Sequence, residues 1–266
     1  MGHSDLKKSC QGLITALGLG PKEHVAVVGG GGKSTLCFAL AEALGLAGAR
    51  VISSTTTKVR QAEARAFPRR VLYAPGGPDL AAVEKGLDET GSVFVAQEFL
   101  LNGKVDGIPP AWADDLFRMP GAAYVIIEAD GAAGRPLKAP AAHEPVIPGS
   151  VTTVIALMGL KVLGEPLGPD TVFRPALFKA LTGLEDGDIL NPERLVRAFD
   201  QKAGLFRNAP VSARKIVFLN QLDRLTDERP AHHLAQLLLT ENPFIERVVL
   251  GSCQQNTFIT IHRGRV

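Results

Sequence analysis

The sequence predicts an α/β protein with a mainly parallel sheet and helices on both faces. Segments rich in Val, Ile and Leu alternate along the chain with segments that have helical spacing. Strands of a parallel sheet are buried on both faces, so they form near-continuous apolar runs, and the alternating helices cover them. The predicted buried strands are 24–28 (HVAVV), 122–130 (AAYVIIEAD), 151–159 (VTTVIALMG) and 214–220 (RKIVFLN), and helices are predicted at 33–46 and 228–239.

The remaining elements complete this alternation. An Asn-Gly step at 102–103 lies between two apolar runs and predicts a hairpin across 92–108. No internal repeat and no long Ser/Gly linker interrupts the chain, so residues 1–266 are predicted to form one domain, with a helical insertion or cap at about 160–213. Further strands are expected at 49–56, 71–74 and 246–250, and a further helix at 79–90.

Charge and cysteine content exclude several classes of protein. The chain has 29 basic and 27 acidic residues among 266, mixed along its length, and lacks the basic stripe of a nucleic-acid-binding protein. Three scattered cysteines without a CxxC pair indicate reduced thiols and give no support for a zinc or iron–sulfur site. No apolar run reaches the roughly 18 residues that a membrane helix needs, and the N-terminus lacks a signal-peptide pattern, so a cytoplasmic location is expected.

Four consecutive glycines, Gly29–Gly32, follow the first predicted strand and precede Lys33, Ser34 and Thr35 at the start of a helix. Without Cβ atoms, backbone N–H groups can close around an anion, and the helix N-terminus adds further N–H groups and a positive dipole. Lys33 supplies a full charge, and the Ser34 hydroxyl can bind Mg²⁺. The segment therefore predicts a phosphate-binding loop for ATP or GTP in a P-loop NTPase-like fold, with a flexible linker as the alternative.

The spacing of this loop is shorter than in the common G-x-x-x-x-G-K-[ST] pattern, in which the first glycine would fall at Val27. The chain matches G-x-x-G-K-[ST] from Gly29 to Ser34, and this shorter form resembles the ATP loop of Mur ligases and folylpolyglutamate synthases. That resemblance implies a variant activity, in which the protein activates a carboxylate as an acyl phosphate.

Carboxylates at the end of another strand are candidates for holding Mg²⁺. Glu128 and Asp130 end the apolar run YVIIEAD and, two residues apart, point to the same side. Ligands of a parallel sheet bind at the carboxyl ends of its strands, so either carboxylate can hold a metal there, with capping of the next segment as the alternative. The threonines of SSTTTK (53–58) are either β-formers only or sources of hydroxyls, with Thr56 as a metal ligand and Lys58 as a further charge.

A proline-rich stretch from 129 to 148 (ADGAAGRPLKAPAAHEPVIP) has little helical or strand pattern. A segment of this length without regular structure in a compact domain is usually functional or disordered. Arg135 and Lys138 are candidate anion-binding cations, and His143 or Glu144 is the candidate base, with anchoring of the loop as the alternative for His143. Because the stretch leaves the strand that carries the carboxylates, we expect it to border the nucleotide site.

Four segments, GGGGKST, STTTK, EADGAAGRPLKAPAAHEPVIP and LNQLD, occur in an order that resembles the YqeC family over about residues 12–255. That family is associated with maturation of selenium-dependent molybdenum hydroxylases. The resemblance implies a role in that maturation, with a molybdenum hydroxylase or its cofactor-maturation proteins as partners. It does not by itself name a reaction.

Two segments depart from related patterns. In FRPALFKALTG the family pattern has a His before the arginine, where this chain has Phe173, and Arg174 stays a candidate anion-binding residue. LNQLD resembles the N-K-x-D base-reading motif of GTPases, with Gln221 in place of the lysine. Asp223 can still accept hydrogen bonds from guanine and Asn220 can still brace the loop, with a helix N-cap at a strand end as the alternative.

Two functions of different class fit these residues. The first is a Mg²⁺-dependent NTP hydrolase or phosphoryl transferase, in which Lys33 and Mg²⁺ neutralise charge on the transferred phosphoryl group. The second is a nucleotide-gated chaperone or adaptor with little turnover, in which the bound nucleotide sets a conformation that carries a cofactor or engages an apo-hydroxylase. Both use the same residues, so the sequence alone leaves the choice open.

Overall fold

The computed structural model describes residues 12–60, 69–72, 77–101 and 103–263. Residues 12–17 are helical, and none of the helices in these ranges is both long enough and apolar enough to cross a membrane. The later helices are α1 (Lys33–Leu46), α2 (Leu80–Thr90), α3 (Pro110–Arg118), α4 (Pro175–Thr182), α5 (Pro192–Leu195) and α6 (Arg229–Glu241), with 3₁₀ helices at Leu160–Val162, Val196–Phe199 and Leu222–Arg224. The strands are β1 (Glu23–Gly29), β2 (Val51–Thr55), β3 (Val59–Arg60), β4 (Arg69–Leu72), β5 (Ser92–Ala96), β6 (Glu98–Phe99), β7 (Lys104–Asp106), β8 (Tyr124–Glu128), β9 (Leu137–Lys138), β10 (Thr153–Gly159), β11 (Val172–Phe173), β12 (Arg214–Asn220), β13 (Arg247–Ser252) and β14 (Thr257–Ile261).

These elements are divided between two compact units, each made of three chain segments. The first unit comprises the described residues up to Val27, together with Ser34–Gly131 and Val146–Thr153. The second comprises Val28–Lys33, Ala132–Pro145 and the residues from 154 onward. Interleaved segments of this kind are compatible with one domain or two, so the single domain over 1–266 stays a prediction.

Parallel strands of the first unit lie in the order β1–β8–β2–β5–β4. β8 pairs with β1 on one side and with β2 on the other, so Glu128 lies level with Val27 and with Thr55. Every residue of β1, β2 and β8 is buried. Burial on both faces is what the apolar runs predict, and each large apolar side chain contributes about 1.5–3 kcal/mol when buried.

Two local features of the first unit follow directly from its sequence. The Asp79 side chain accepts a hydrogen bond from the Ala82 N–H (3.0 Å) and so caps the start of α2, which ends at Gly91 in the left-handed conformation. β6 and β7 pair antiparallel with Phe99 opposite Val105, which confirms the predicted hairpin. The asparagine of its Asn-Gly step, at position 102, lies outside the described residues.

In the second unit β12 pairs parallel with β13, β13 pairs antiparallel with β14, and β10 lies next to β12. A separate parallel pair joins β9 to β11 and places Lys138 level with Phe173. Between β10 and β12, residues 160–213 contain β11, α4, α5 and two of the 3₁₀ helices. The function of that stretch as an insertion or cap stays a prediction.

The mainly parallel pairing with interspersed helices confirms the predicted α/β class. α1 has its predicted bounds, and six predicted strands correspond to β1, β2, β8, β10, β12 and β13. α3 and β14 are not predicted from the sequence. Residues 73–74 of the strand expected at 71–74 lie outside the described residues, as does Cys10.

Candidate functional site

The glycine loop begins at the end of β1 and is shaped by the backbone of β10. Gly29 and Gly31 have positive φ angles of +101° and +87°. A Cβ atom on Gly29 would lie closer than 3.0 Å to the carbonyl group of Leu157, and one on Gly31 would lie equally close to the backbone of Gly159. These two positions therefore need glycine both for conformation and for packing.

Two N–H groups of the loop already have acceptors within the second unit. The Gly30 N–H donates to the Leu157 carbonyl (2.9 Å), and the Gly31 N–H donates to the Arg135 carbonyl (3.0 Å). The first bond ties the loop to β10, and the second ties it to the proline-rich stretch. An anion bound at this loop would therefore take its hydrogen bonds from other N–H groups.

The Lys33 side chain folds back onto the glycine loop and binds its backbone. This side chain is 5% exposed, and its Nζ donates to the carbonyl of Gly29 at 2.8 Å. The loop thus holds the Lys33 side chain against its own backbone and away from solvent.

Asn220, at the end of β12, braces the loop. Its Nδ2 donates to the Gly31 carbonyl (2.9 Å), while its Oδ1 accepts from the Cys253 N–H (3.1 Å). Gln221 follows in the left-handed region, with φ +70°, and its side-chain amide lies against Gly159. Asp223 is nearly buried and pairs with Arg224 at 3.3 Å.

A hydroxyl and a carboxylate meet in the first unit at the start of α1. Ser34 Oγ donates to Glu128 Oε2 at 2.8 Å. Mg²⁺ prefers oxygen ligands at about 2.0–2.1 Å in octahedral geometry, which places neighbouring ligand oxygens about 2.9 Å apart. The residue types and the spacing of these two oxygens therefore fit a Mg²⁺ ion.

A cavity of about 30 Å³ lies beside this pair, lined by residues that include Ser34, Ser53 and Glu128. This volume has room for about one water molecule. The hydroxyl oxygen of Ser53 is buried and has no hydrogen-bond partner among the described residues. Ser53, which the sequence analysis does not single out, therefore adds a polar atom to this end of the sheet.

The other residues predicted to bind the metal, or to add charge beside it, differ in their contacts and in their burial. The Thr56 hydroxyl donates to the Val146 carbonyl (2.7 Å), which anchors the proline-rich stretch to the end of β2. Asp130 is buried, and Lys58 is exposed. Within the described ranges, no group of three or more His, Cys, Asp or Glu residues could hold a metal ion.

Lys138, Glu144 and Arg174 form a buried ionic cluster in the second unit. Lys138 is fully buried, and its Nζ lies 2.8 Å from Glu144 Oε2. Arg174 binds the same carboxylate through both terminal nitrogens, with Nη2 3.1 Å from Oε1. The ring of Phe173 lies 5.9 Å from the Lys138 ammonium and 4.6 Å from the Arg174 guanidinium, within reach of cation–π attraction.

The predicted roles of these three residues stay predictions, and the cluster adds the following electrostatics. Burial opposes the ionisation of Glu144, but hydrogen bonds from Arg174 and Lys138 outweigh it and lower the pKa of Glu144 to about 2. A carboxylate with such a pKa is a poor proton acceptor near neutral pH. The two cations expected to bind a substrate anion bind Glu144, and their contacts connect β9 with the residue that follows β11.

A model of the YqeC family, described as YqeC protein, matches residues 25–176. The protein described as uncharacterized protein YqeC of Escherichia coli (strain K12) is 33% identical over 235 residues, which cover 88% of this chain and 89% of that protein. The chain belongs to the YqeC family. Among solved structures, chloroplast FtsY from Physcomitrella patens aligns with 91% of this YqeC-family chain at a TM-score of 0.40 and 11% identity, and the alignment spans 66% of that protein's length.

The two remaining candidates of this YqeC-family protein lie on the surface of the proline-rich stretch. The Arg135 side chain is 40% exposed and lies 3.4 Å from Asp170, and His143 is exposed. The backbone of the stretch matters more, because the Arg135 carbonyl binds the glycine loop. Gly159 is not among the residues predicted from the sequence, where its only signal is a glycine at the carboxyl end of an apolar strand.

Proposed function

We propose that this protein binds a nucleoside triphosphate together with Mg²⁺ and hydrolyses it or transfers its terminal phosphoryl group. The observation that carries the proposal is the buried Lys33 ammonium, held 2.8 Å from the Gly29 carbonyl inside a glycine loop between a strand and a helix. A lysine inside a glycine loop at the start of a helix is a favourable arrangement for binding phosphate, because the helix N-terminus adds free N–H groups.

Within this proposal, Lys33 releases the Gly29 carbonyl and binds the phosphates. Gly32 and the first turn of α1 supply N–H donors, because the N–H groups of Gly30 and Gly31 already bind carbonyls. Ser34 and Glu128 hold Mg²⁺, which neutralises charge on the phosphates when it is bound. ATP and GTP both satisfy this description.

The first test is calorimetric titration of the full chain with ATP and with GTP, with and without Mg²⁺. Lys33→Ala should weaken nucleotide binding at least a hundredfold while leaving the protein folded. Lys202→Ala, which removes an exposed lysine of the second unit, is the matched control and should bind as the wild type does. A folded Lys33→Ala variant with unchanged affinity for both nucleotides would refute the proposal.

A second candidate function is a nucleotide-gated adaptor with little turnover. The ionic cluster supports it, because Lys138, Glu144 and Arg174 bind one another and leave no base or cation among them for chemistry. The resemblance to YqeC proteins implies that its client is a molybdenum hydroxylase or a protein that matures its cofactor.

Steady-state phosphate release, measured with and without such a client, distinguishes the two functions. Turnover by the protein alone supports the enzyme, and turnover that depends on the client supports the adaptor. Loss of selenium-dependent hydroxylase activity in cells that lack this protein would support the maturation role, and unchanged activity would contradict it.

A further inference from the structure

A cavity of about 520 Å³ in the second unit has no role in the functions above. Its volume lies within the 300–1,000 Å³ typical of small-molecule sites. Its lining is mixed. Four half-buried apolar residues line it, Leu163, Pro192, Leu225 and Pro230. The other side chains are polar or charged: Lys161, Glu165, Asn191, Arg224, Thr226 and Asp227. Apolar side chains beside hydrogen-bonding and charged groups suit a ligand with a flat ring system and polar edges.

Two chain segments lead from the glycine loop to this cavity. Gly159 packs against Gly31 at the end of β10 and is followed by the 3₁₀ helix Leu160–Val162 and then by Leu163. Asn220 binds Gly31 at the end of β12 and is followed, after one residue, by the 3₁₀ helix Leu222–Arg224 and then by Leu225. Leu163 and Leu225 are each the residue directly after a 3₁₀ helix, and both line the cavity.

The two 3₁₀ helices contact each other, so the two segments reach the cavity side by side. A 3₁₀ helix rises about 2.0 Å per residue, so each three-residue helix spans about 6 Å. The cavity therefore begins about one short helix away from the glycine loop, within the same unit and after the carboxyl ends of β10 and β12. Ligands of parallel sheets bind at such carboxyl ends.

We infer that this cavity binds the nucleoside portion, base and ribose, of the nucleotide whose phosphates bind the glycine loop. The inference rests on the proposed function. Leu163 and Leu225 contact the faces of the base, and Glu165 and Thr226 provide hydrogen-bonding groups for its edge or for the ribose hydroxyls. A path of about one 3₁₀ helix from the loop to the cavity suits a ligand whose ring and anionic chain are joined by a sugar.

The test compares nucleotides with inorganic tripolyphosphate, which has the phosphates but no nucleoside. Calorimetry is run on the full chain with ATP, GTP and tripolyphosphate. The double variant Leu163→Ala/Leu225→Ala should weaken binding of the preferred nucleotide tenfold or more and leave tripolyphosphate binding within twofold. Leu177→Ala, a half-exposed leucine of α4 that does not line the cavity, is the control and should change neither.

Each further outcome bears on one of the two proposals. Wild-type nucleotide affinity in the double variant, or an equal loss for nucleotide and tripolyphosphate, would overturn the nucleoside site and leave the proposed function intact. A wild-type protein that binds neither nucleotides nor tripolyphosphate would overturn both.

Hydrogen–deuterium exchange of the wild type covers the case in which the double variant does not fold. Nucleotide should slow exchange of the amides at 163–165 and 225–227, whereas tripolyphosphate should slow exchange at the glycine loop only. Equal protection of the cavity by both ligands, or none by either, would contradict the nucleoside site.

Discussion

Removing the charge of Glu144 should destabilise the protein far more than removing the charge of a surface carboxylate with the same pKa. In Glu144→Gln the fully buried Lys138 loses the carboxylate that lies 2.8 Å from it. Breaking a buried ion pair on one side costs about 3–5 kcal/mol. The lowering of the pKa of Glu144 from 4.5 to about 2 corresponds to a similar value, about 3 kcal/mol, since each pKa unit represents about 1.4 kcal/mol.

Glu246→Gln is the matched control. The pKa of Glu246 is also lowered to about 2. The main cause is hydrogen bonding from Arg214, to which Arg247 adds, and both outweigh the opposing effect of burial. Its side chain is 37% exposed, however, against 7% for Glu144. Solvent screens such a pair, so its loss should cost at most about 1 kcal/mol.

The assay is urea denaturation followed by circular dichroism at pH 7 and at pH 2. Because folding lowers the pKa of Glu144, its stabilisation is complete above pH 4.5 and is lost as the pH falls towards 2. The stability difference between wild type and Glu144→Gln should therefore shrink from about 3 kcal/mol at pH 7 to near zero at pH 2. Equal effects of the Glu144→Gln and Glu246→Gln substitutions at pH 7, or a loss below about 1 kcal/mol, would refute the reasoning.

Three further predictions concern the loop and a buried histidine. Gly31→Ala should lower the free energy of unfolding in urea by about 1–3 kcal/mol, because an alanine is strained at this positive φ and its Cβ would meet Gly159. Gly45→Ala, which has open space around it in α1, should raise it by up to about 1 kcal/mol. An unchanged free energy of unfolding in Gly31→Ala would contradict this reasoning. Asn220→Ala should weaken nucleotide binding at least tenfold in calorimetry because the Gly31 carbonyl loses its donor, and unchanged affinity would show that the brace is dispensable. Burial lowers the pKa of His24 from 6.5 to about 4, although the charge of Asp114 opposes this. The contribution of His24 to the free energy of unfolding should therefore be complete above pH 6.5 and fall by about 3 kcal/mol as the pH drops to 4. His24→Gln should lack this fall in urea titrations, and a fall that persists in the variant would show that other groups cause it.

Elements with strong local patterns are predictable from the sequence, and those that depend on distant partners are not. α1 has its predicted bounds because a glycine loop and an Ala/Leu-rich run define both of its ends. β14 lacks an apolar run, since it is an edge strand with no buried residue, and its pairing with β13 is what makes it a strand. α3 begins within a Pro-Pro pair that, in the sequence alone, is equally typical of a turn.

The candidate site divides in the same way. The order strand–glycines–lysine–serine predicts the loop, because every residue involved is a neighbour in the chain. The roles of Lys138, Glu144 and Arg174 are not predictable, since a charge on a proline-rich stretch can face a ligand or another charge. The contact with another charge comes from the pairing of β9 with β11, which brings Arg174 from 30 positions away to the carboxylate of Glu144.

The interleaving of the two units has a consequence for synthesis of the chain on the ribosome. The chain passes between the units after Val27, Lys33, Gly131, Pro145 and Thr153, so the glycine loop emerges early while the backbone that shapes it emerges late. The hydrogen bonds of the loop can form only after β10, and then the side-chain amide of Asn220, have been synthesised. A nascent chain therefore contains the whole loop sequence long before the loop can adopt its final hydrogen-bonded conformation. The loop can bind a ligand in that conformation only when most of the protein has been synthesised.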